Sequence, residues 1–264
     1  MTPQECEAAG RALYEAEKAG RQIGILSEAH KDMTLEDAYR VQGDFLARKV
    51  AGGARQIGWK IGLTSRAMQD ALKIDTPDSG VLFDDMLFRD GGQVAPGRFI
   101  QPRIEAEIAF VLKTPLKGDV TRADVVAATD FITPALEILD TRIIRANATT
   151  GAVRKVQDTI ADNAANAGIV LGDTRRDPGE DMRWLGAIVM RDGVVEETGL
   201  GAGVLDDPAQ GIVWLVRRLA GFDQGLEAGQ VVLSGSFIRP VECPPGTRIN
   251  ADFGEFGAVN IHFA

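Results

Sequence analysis

The sequence predicts an α+β fold in which a helical N-terminal segment packs on a β-rich body. Three observations carry that prediction. Residues 3–19 are rich in Ala and Glu, strong helix formers, and residues 34–50 place apolar side chains at helical spacing. From residue 55 onward the texture changes to short apolar runs bounded by turn residues. Glycine is abundant, at 30 of 264 residues, and so many tight turns suit a sheet-rich body. No repeat at a fixed period and no linker-like tract interrupts the chain. The expected division is a helical segment over 1–75 and a β-rich domain over 76–264, together one structural unit.

The first helix is expected from Pro3 to Ala19 and the second from Thr34 to Val50. Thr34 is the N-cap of the second, with Asp37 three residues on, and Leu35, Ala38, Val41 and Phe45 line one face. Between the two, GILSEAHKD (24–32) has no clear period and reads as a loop or lid. A third, short helix follows Ser65. Strands are expected at 55–63, 81–88, 104–113, 131–139, 169–171, 184–191, 194–199, 230–234, 247–253 and 258–263. Asp192-Gly193, between two apolar runs, fits a two-residue hairpin turn. Helices interrupt the strands at 121–128, 157–166 and 208–219. The last opens on Asp207 as N-cap and Pro208 at the first helical position.

Composition excludes several function classes. Lys and Arg number 29 against 38 Asp and Glu, a formal charge of −9, and no clustered basic block offers a nucleic acid its footprint. No stretch approaches the ~18 apolar residues that span a bilayer. The start, MTPQECEAAG, lacks the basic and apolar regions of a signal peptide. With only Cys6 and Cys243, no disulfide framework is expected and a reducing cytoplasm is the default. The expected partner is a small molecule, with no nucleic acid and no membrane.

The most informative strand is IEAEIAFVLK (104–113). Alternation puts Ile104, Ala106, Ile108, Phe110 and Leu112 on one face and Glu105 and Glu107 on the other, about 7 Å apart along the strand. A solvated sheet face would explain that pair. ITPALEILD (132–140) shifts the balance, because Glu137 sits among Ala135, Leu136, Ile138 and Leu139. A charge in such company is buried unless it is paired or bound to a cation. Three glutamates from two β segments suit a hard divalent ion, Mg²⁺ or Mn²⁺, which prefers oxygen ligands and keeps positions open for water or substrate. Zinc is disfavoured, since the histidines are only His30 and His262 and the cysteines lie far apart. Lys60, in GWKIGLTS (58–65), stands in an apolar strand between Gly58 and Gly62, which allow close backbone approach. It is either a snorkelling surface lysine or a partly buried ammonium that holds a substrate carboxylate or moves a proton.

Five segments recur in one order in a single family: GWKIGLTS (58–65), PRIEAEIAFVL (102–112), PALEILDTRI (134–143), DTIADNAANAGIVLG (158–172), and GSFIRPV (235–241) ahead of a closing Gly-rich hairpin. On these motifs the chain resembles the hydratase/decarboxylase family of the fumarylacetoacetate hydrolase superfamily. The likeness runs from Asp37-Ala38-Tyr39 to the C-terminus and is strongest to hydratases of a seven-carbon 2-oxo-4-ene dioate. It implies the family's mixed β-roll with an N-terminal helical part, and a homo-oligomer. It makes Glu105, Glu107 and Glu137 the metal ligands and Lys60 the active-site lysine. Asp78, in TPDSG (76–80), falls where the family has an acidic residue facing the substrate, and Asp158 and Asn163 match positions near the metal pocket. The decarboxylase branch carries serine where Asp158 stands, so Asp158 points toward a hydratase.

The reaction so implied is the Mg²⁺-dependent addition of water to a 2-hydroxy-2,4-dienoate, the enol product of meta-cleavage pathways for aromatic compounds. Lys60 neutralises the carboxylate or the enol oxygen, and the water is activated by Asp78, Asp158 or a hydroxide on the ion. For a dioate, Arg66 and Arg239 are candidates for the second carboxylate through bidentate hydrogen bonding, although surface arginines would look the same. The alternatives are a 4-oxalocrotonate decarboxylase with the same metal site and a non-catalytic partner subunit of such an enzyme pair. Carbon–carbon hydrolysis, as elsewhere in the superfamily, would need a lid His–Glu pair, for which Glu28 and His30 are the material. Trp59 and Trp214 are expected to pack and Cys243 to be inert. GLGAGVL (199–205) lacks the lysine and the strand–helix setting of a phosphate loop.

Overall fold

The computed structural model describes residues 1–66, 69, 70, 74 and 76–264. The short helix expected after Ser65 lies outside the described residues. Helices α1 (Pro3–Ala19), α2 (Leu26–Ala29) and α3 (Leu35–Ala51) come first. A Thr2–Glu5 capping box and Pro3 open α1, and Gly20 closes it in the left-handed conformation, φ 59°. The Thr34–Asp37 box opens α3, and Asp37 also takes the Met1 ammonium at 2.9 Å. Ala38, Val41 and Phe45 are buried as their spacing predicts, whereas Leu35 stays 39% exposed. Within the segment read as a loop, α2 forms a single turn.

The body is two curled sheets. Strands β1 (Gln56–Gly62), β2 (Asp78–Phe83), β3 (Leu87–Phe88), β5 (Arg103–Leu112), β6 (Thr129–Leu139), β7 (Asn166–Leu171), β10 (Val231–Leu233) and β11 (Val241–Glu242) form one mixed sheet. Its order is β2-β1-β10-β5-β6-β7-β3, with β11 beside β5. The second sheet runs β4 (Gly92–Val94), β13 (Ala258–Phe263), β12 (Arg248–Asp252), β8 (Gly186–Arg191), β9 (Val194–Leu200). The β8–β9 hairpin turns at Asp192-Gly193, both at positive φ, as that dipeptide favours. The body also carries helices α4 (Arg122–Ala128), α5 (Val156–Ala161) and α6 (Pro208–Ala220), the last capped by Asp207.

The main core joins Ile108, Phe110, Ile132 and Leu136 of the first sheet to Val189, Ile249 and Val259 of the second and to Ile212, Leu215 and Leu219 of α6. A second core joins Leu13, Val41 and Phe45 of the N-terminal helices to Ile143 and Ile160 of the body. The buried Lys49 ammonium of α3 pairs with Glu17 of α1 and reaches across that seam to Asp85 of the body. Because β1 pairs with both β2 and β10, the helical segment ends at Ala51, and a division at 75 would cut the sheet.

Helix α5 stops at Ala161, short of the expected 166. The next residues, Asn163, Ala164 and Ala165, have φ of 53°, 52° and 60°, a left-handed run that costs ordinary residues roughly 1–2 kcal/mol each. Arg142 brackets the run: its guanidinium donates to Asp162 Oδ1, Asp162 O and Asn166 O at 2.5, 2.6 and 3.0 Å. Strand β7 begins immediately after it.

Candidate metal centre and active site

Strands β5 and β6 pair with Glu105 opposite Glu137 and Glu107 opposite Ala135. Like charges directly opposite destabilise a sheet, so this register assembles what strands ordinarily avoid. Lys60 arrives from β1, three places from β6 in the sheet order, a separation of about 14 Å if the sheet were flat. The curl of the sheet and the length of both side chains close that distance, and Lys60 Nζ lies 3.3 Å from Glu137 Oε1. Asn163 closes the roll, accepting from Val81 N at 2.8 Å and donating to Val81 O at 2.9 Å. The glycines beside Lys60 are needed for this approach: a methyl at Gly58 would strike the Val231 carbonyl, and one at Gly62 the Asp78 carboxylate.

The protein engages one oxygen of each deep carboxylate and leaves the other free. Glu107 Oε2 accepts from Gly235 N at 2.7 Å, and Glu137 Oε1 accepts from Asn166 Nδ2 at 2.8 Å. Glu107 Oε1 and Glu137 Oε2 are buried with no partner among the described residues. One carboxylate oxygen from each of Glu105, Glu107 and Glu137 lies within 4.8 Å of the other two. An all-oxygen donor set of three carboxylates fits Mg²⁺ or Mn²⁺, hard ions that take oxygen ligands.

The electrostatics point the same way. Burial, and next Glu137, push the Glu105 carboxyl up to about 8. Burial, then Glu137 and Glu105, hold Glu107 well above the ordinary carboxylate range. Glu137 is raised by burial and only partly relieved by Lys60 and Asn166. Burial alone would lower the Lys60 ammonium, but Glu137, Asp78, Glu105 and Glu107 outweigh it and keep the lysine charged. One buried cation cannot balance three carboxylates plus Asp78, and a divalent ion supplies what is missing.

Asp78 lies at this cluster, 2% exposed, with Oδ1 unpartnered among the described residues. Burial raises its pKa, against the pull of Lys60 and the Gly62 N–H. Asp158 is fully buried but occupied: it takes Ser27 N, Ser27 Oγ and Lys155 N at 2.8, 2.5 and 2.9 Å. It therefore pins the 24–32 segment to the start of α5. Arg66 and Arg239 are not brought to the cluster. Their guanidiniums are 78% and 79% exposed and pair with Asp206 and Glu197. His30 faces Glu5 at 3.8 Å, while Glu28 takes Asn147, so those two residues do not form a pair. Trp59 and Trp214 pack on the main core, and burial pushes the Cys243 thiol up to about 12.

Sequence reasoning missed Ser27, Asn166, the Gly235 N–H and the Ala164 carbonyl, which accepts from Lys60 at 3.1 Å. Only Asn166 carried a signal, as a second asparagine three residues after Asn163 in the same motif.

No protein-family model matches the chain. It is 49% identical over 253 residues to the 2-oxo-hept-4-ene-1,7-dioate hydratase of Escherichia coli, covering 95% of each chain. It is 38% identical over 265 residues to a 2-keto-4-pentenoate hydratase of Paraburkholderia xenovorans (strain LB400), covering 100% of this chain and 96% of that one. Among solved structures it superposes on 4-oxalocrotonate decarboxylase from Pseudomonas putida G7, complexed with magnesium and adipate, with a TM-score of 0.92 at 32% identity, over 100% of this chain and 99% of that one.

Proposed function

Because the chain belongs to the hydratase/decarboxylase family of the fumarylacetoacetate hydrolase superfamily, we propose that it is a Mg²⁺-dependent hydratase. It is a carbon–oxygen lyase that adds water to a 2-hydroxy-2,4-dienoate of the 2-oxohept-4-ene-1,7-dioate or 2-oxopent-4-enoate type, the enol left by meta-cleavage of aromatic rings. The observation that carries this reading is the convergence of carboxylate oxygens from Glu105, Glu107 and Glu137 beside Lys60. Greater identity to the hydratases than to the decarboxylase structure favours water addition.

The ion would be held by Glu105, Glu107 and Glu137, and when bound it supplies a Lewis acid for the substrate's 1-carboxylate and 2-oxygen. The chain's own groups do the rest. Lys60, kept charged by its carboxylate neighbours, neutralises negative charge at the carboxylate or the 2-oxygen. Hydration needs the enol proton removed, a proton delivered to C5, and then water split into OH at C4 and H at C3. Apart from the three glutamates, Asp78 offers beside Lys60 a buried oxygen with no partner among the described residues, and we assign it the proton transfers. Asp158 acts through the 24–32 segment, which it ties to the start of α5 by Ser27. Asn163 fixes the turn whose Ala164 carbonyl orients Lys60.

No helix among the described residues is long and apolar enough to cross a membrane. Cys6 and Cys243 are free and buried, in keeping with a reducing compartment, and we place the enzyme in the cytoplasm. The exposed apolar side chains Trp184, Ile188, Val194, Val195 and Leu200 lie on or beside the β8–β9 hairpin and suit a second copy of the chain, so the working form is a homo-oligomer.

The test is to incubate the protein and Mg²⁺ with 2-hydroxyhepta-2,4-diene-1,7-dioate and, separately, with 4-oxalocrotonate. The expected result is a chelator-sensitive product heavier by one water and no CO₂. Release of CO₂ from the second compound would move the protein to the decarboxylase branch, and inertness toward both would favour a non-catalytic subunit.

A further inference from the structure

Three arginines near the carboxylate centre carry guanidinium N–H groups that no described residue accepts. Arg103 opens β5 two residues before Glu105, so the two side chains leave the same face of the strand. Arg145 and Arg154 face each other across a short hairpin, where Arg154 N donates to Arg145 O at 2.9 Å beside the Ala146–Val153 bridge. Arg103 Nε, Arg145 Nε and Arg154 Nη1 are buried with no partner among the described residues. Among the described residues one carboxylate lies within ion-pair distance of the group, Glu242, whose Oε1 takes Arg145 at 2.7 Å and lies 3.9 Å from Arg103, while Asp162 and Asp158 act on Arg154 from further off. Arg154 forms no ion pair of its own among the described residues.

Such an arrangement costs stability. Like charges opposite each other in a hairpin repel, and a buried donor without an acceptor is penalised. Burial lowers the Arg154 guanidinium; Asp162 opposes this, and Arg103 and Arg145 add to it. In a chain of net charge −9 the cluster is a local excess of positive charge waiting for an anion. Guanidiniums bind carboxylates through paired N–H groups, and the unpaired ones here are already desolvated.

We propose that Arg103, Arg145 and Arg154 form a carboxylate subsite for the far end of a dicarboxylate whose near end is held at the Glu105–Glu107–Glu137 centre. The inference rests on the function proposed above and narrows it to the dioate. The spacing suits it: an extended seven-carbon chain spans six carbon–carbon bonds, about 7–8 Å, and the step from Glu105 to Arg103 along β5 covers about 7 Å. Arg66 and Arg239, exposed and engaged with Asp206 and Glu197, leave this role open.

Two readouts test the subsite with the full-length protein and Mg²⁺. One is calorimetric binding of adipate against hexanoate, which differ at the far carboxylate. The other is the ratio of kcat/KM for the seven-carbon dioate over the five-carbon monoacid. Arg154→Met is expected to weaken adipate binding and to lower the ratio, each on the order of 10- to 100-fold, with the loss in KM and partial rescue in Arg154→Lys. Arg103→Met should do the same and stands in if Arg154→Met does not fold. Equal losses on adipate and hexanoate, or an unchanged ratio, would overturn the proposal. Should the unaltered protein hydrate neither dienoate yet lose its adipate preference on Arg154→Met, the subsite stands and the hydratase reading fails.

Discussion

Replacing Glu107 with glutamine separates the cost of the carboxylate cluster from its use. The substitution keeps the shape, leaves an oxygen for the Gly235 N–H that Glu107 now accepts, and removes one charge from a trio whose oxygens lie within 4.8 Å. At an effective dielectric of ~20, two like charges at that separation repel by about 3 kcal/mol. The metal-free protein carries this burden either as repulsion or as protons taken up above the ordinary carboxylate range. Glutamine lifts much of it and adds an N–H toward the remaining carboxylates. Metal-free Glu107→Gln should therefore melt higher than the unaltered protein, by about 5–10 °C for a chain of this size. Mg²⁺ should do the reverse: each tenfold loss of affinity removes about 1.4 kcal/mol of ligand-linked stabilisation, so the variant gains far less from the ion. Thermal melts at pH 8 with EDTA or with millimolar Mg²⁺ measure both effects. A metal-free variant less stable than the parent, or equal Mg²⁺ gains in both, would refute the reasoning.

Three further outcomes are expected. The Glu105 carboxyl stands at about 8 in the folded chain, above its unfolded value, so the stability it contributes is present below about pH 4.5 and lost as pH rises through 8. An ion that keeps the carboxylates deprotonated removes that dependence, and the Mg²⁺-induced rise in Tm should grow between pH 5.5 and 8; a gain constant with pH would contradict the assignment. Asn163→Ala strands the buried Val81 N and O, and two such orphans cost about 2–6 kcal/mol, readable by urea denaturation. Ser27→Ala removes the hydroxyl bond to Asp158, and amide exchange across residues 24–32 should speed up while that of β5 and β6 stays slow.

The legible features were those in which a residue conflicted with its local surroundings or completed a local motif. Glu137 stood out because a charge among Ala135, Leu136, Ile138 and Leu139 has no local excuse. Thr34–Asp37, Asp207-Pro208 and Asp192-Gly193 carry their own geometry within a few residues. The pairing of Lys60 with Glu137 was not derivable in the same way, because it depends on β10, from residue 231 onward, entering the sheet between β1 and β5. Local propensity favoured helix through Ala164 and Ala165, but Val81 and Arg142, both distant in sequence, fix the left-handed turn instead. Strands β4 and β11, three and two residues long, exist only through their neighbours. The exposure that removes Arg66 and Arg239 from the site is likewise a property of the whole fold. Arg103, by contrast, stood in plain view two residues before Glu105.

The central claim, that Glu105, Glu107 and Glu137 form one divalent metal centre, is tested most directly by anomalous diffraction from crystals grown with Mn²⁺. The predicted result is a single strong peak within bonding distance of one oxygen from each of the three glutamates, lost in Glu137→Gln crystals. A map with no peak between those carboxylates, or with Mn²⁺ bound elsewhere and indifferent to Glu137, would contradict it.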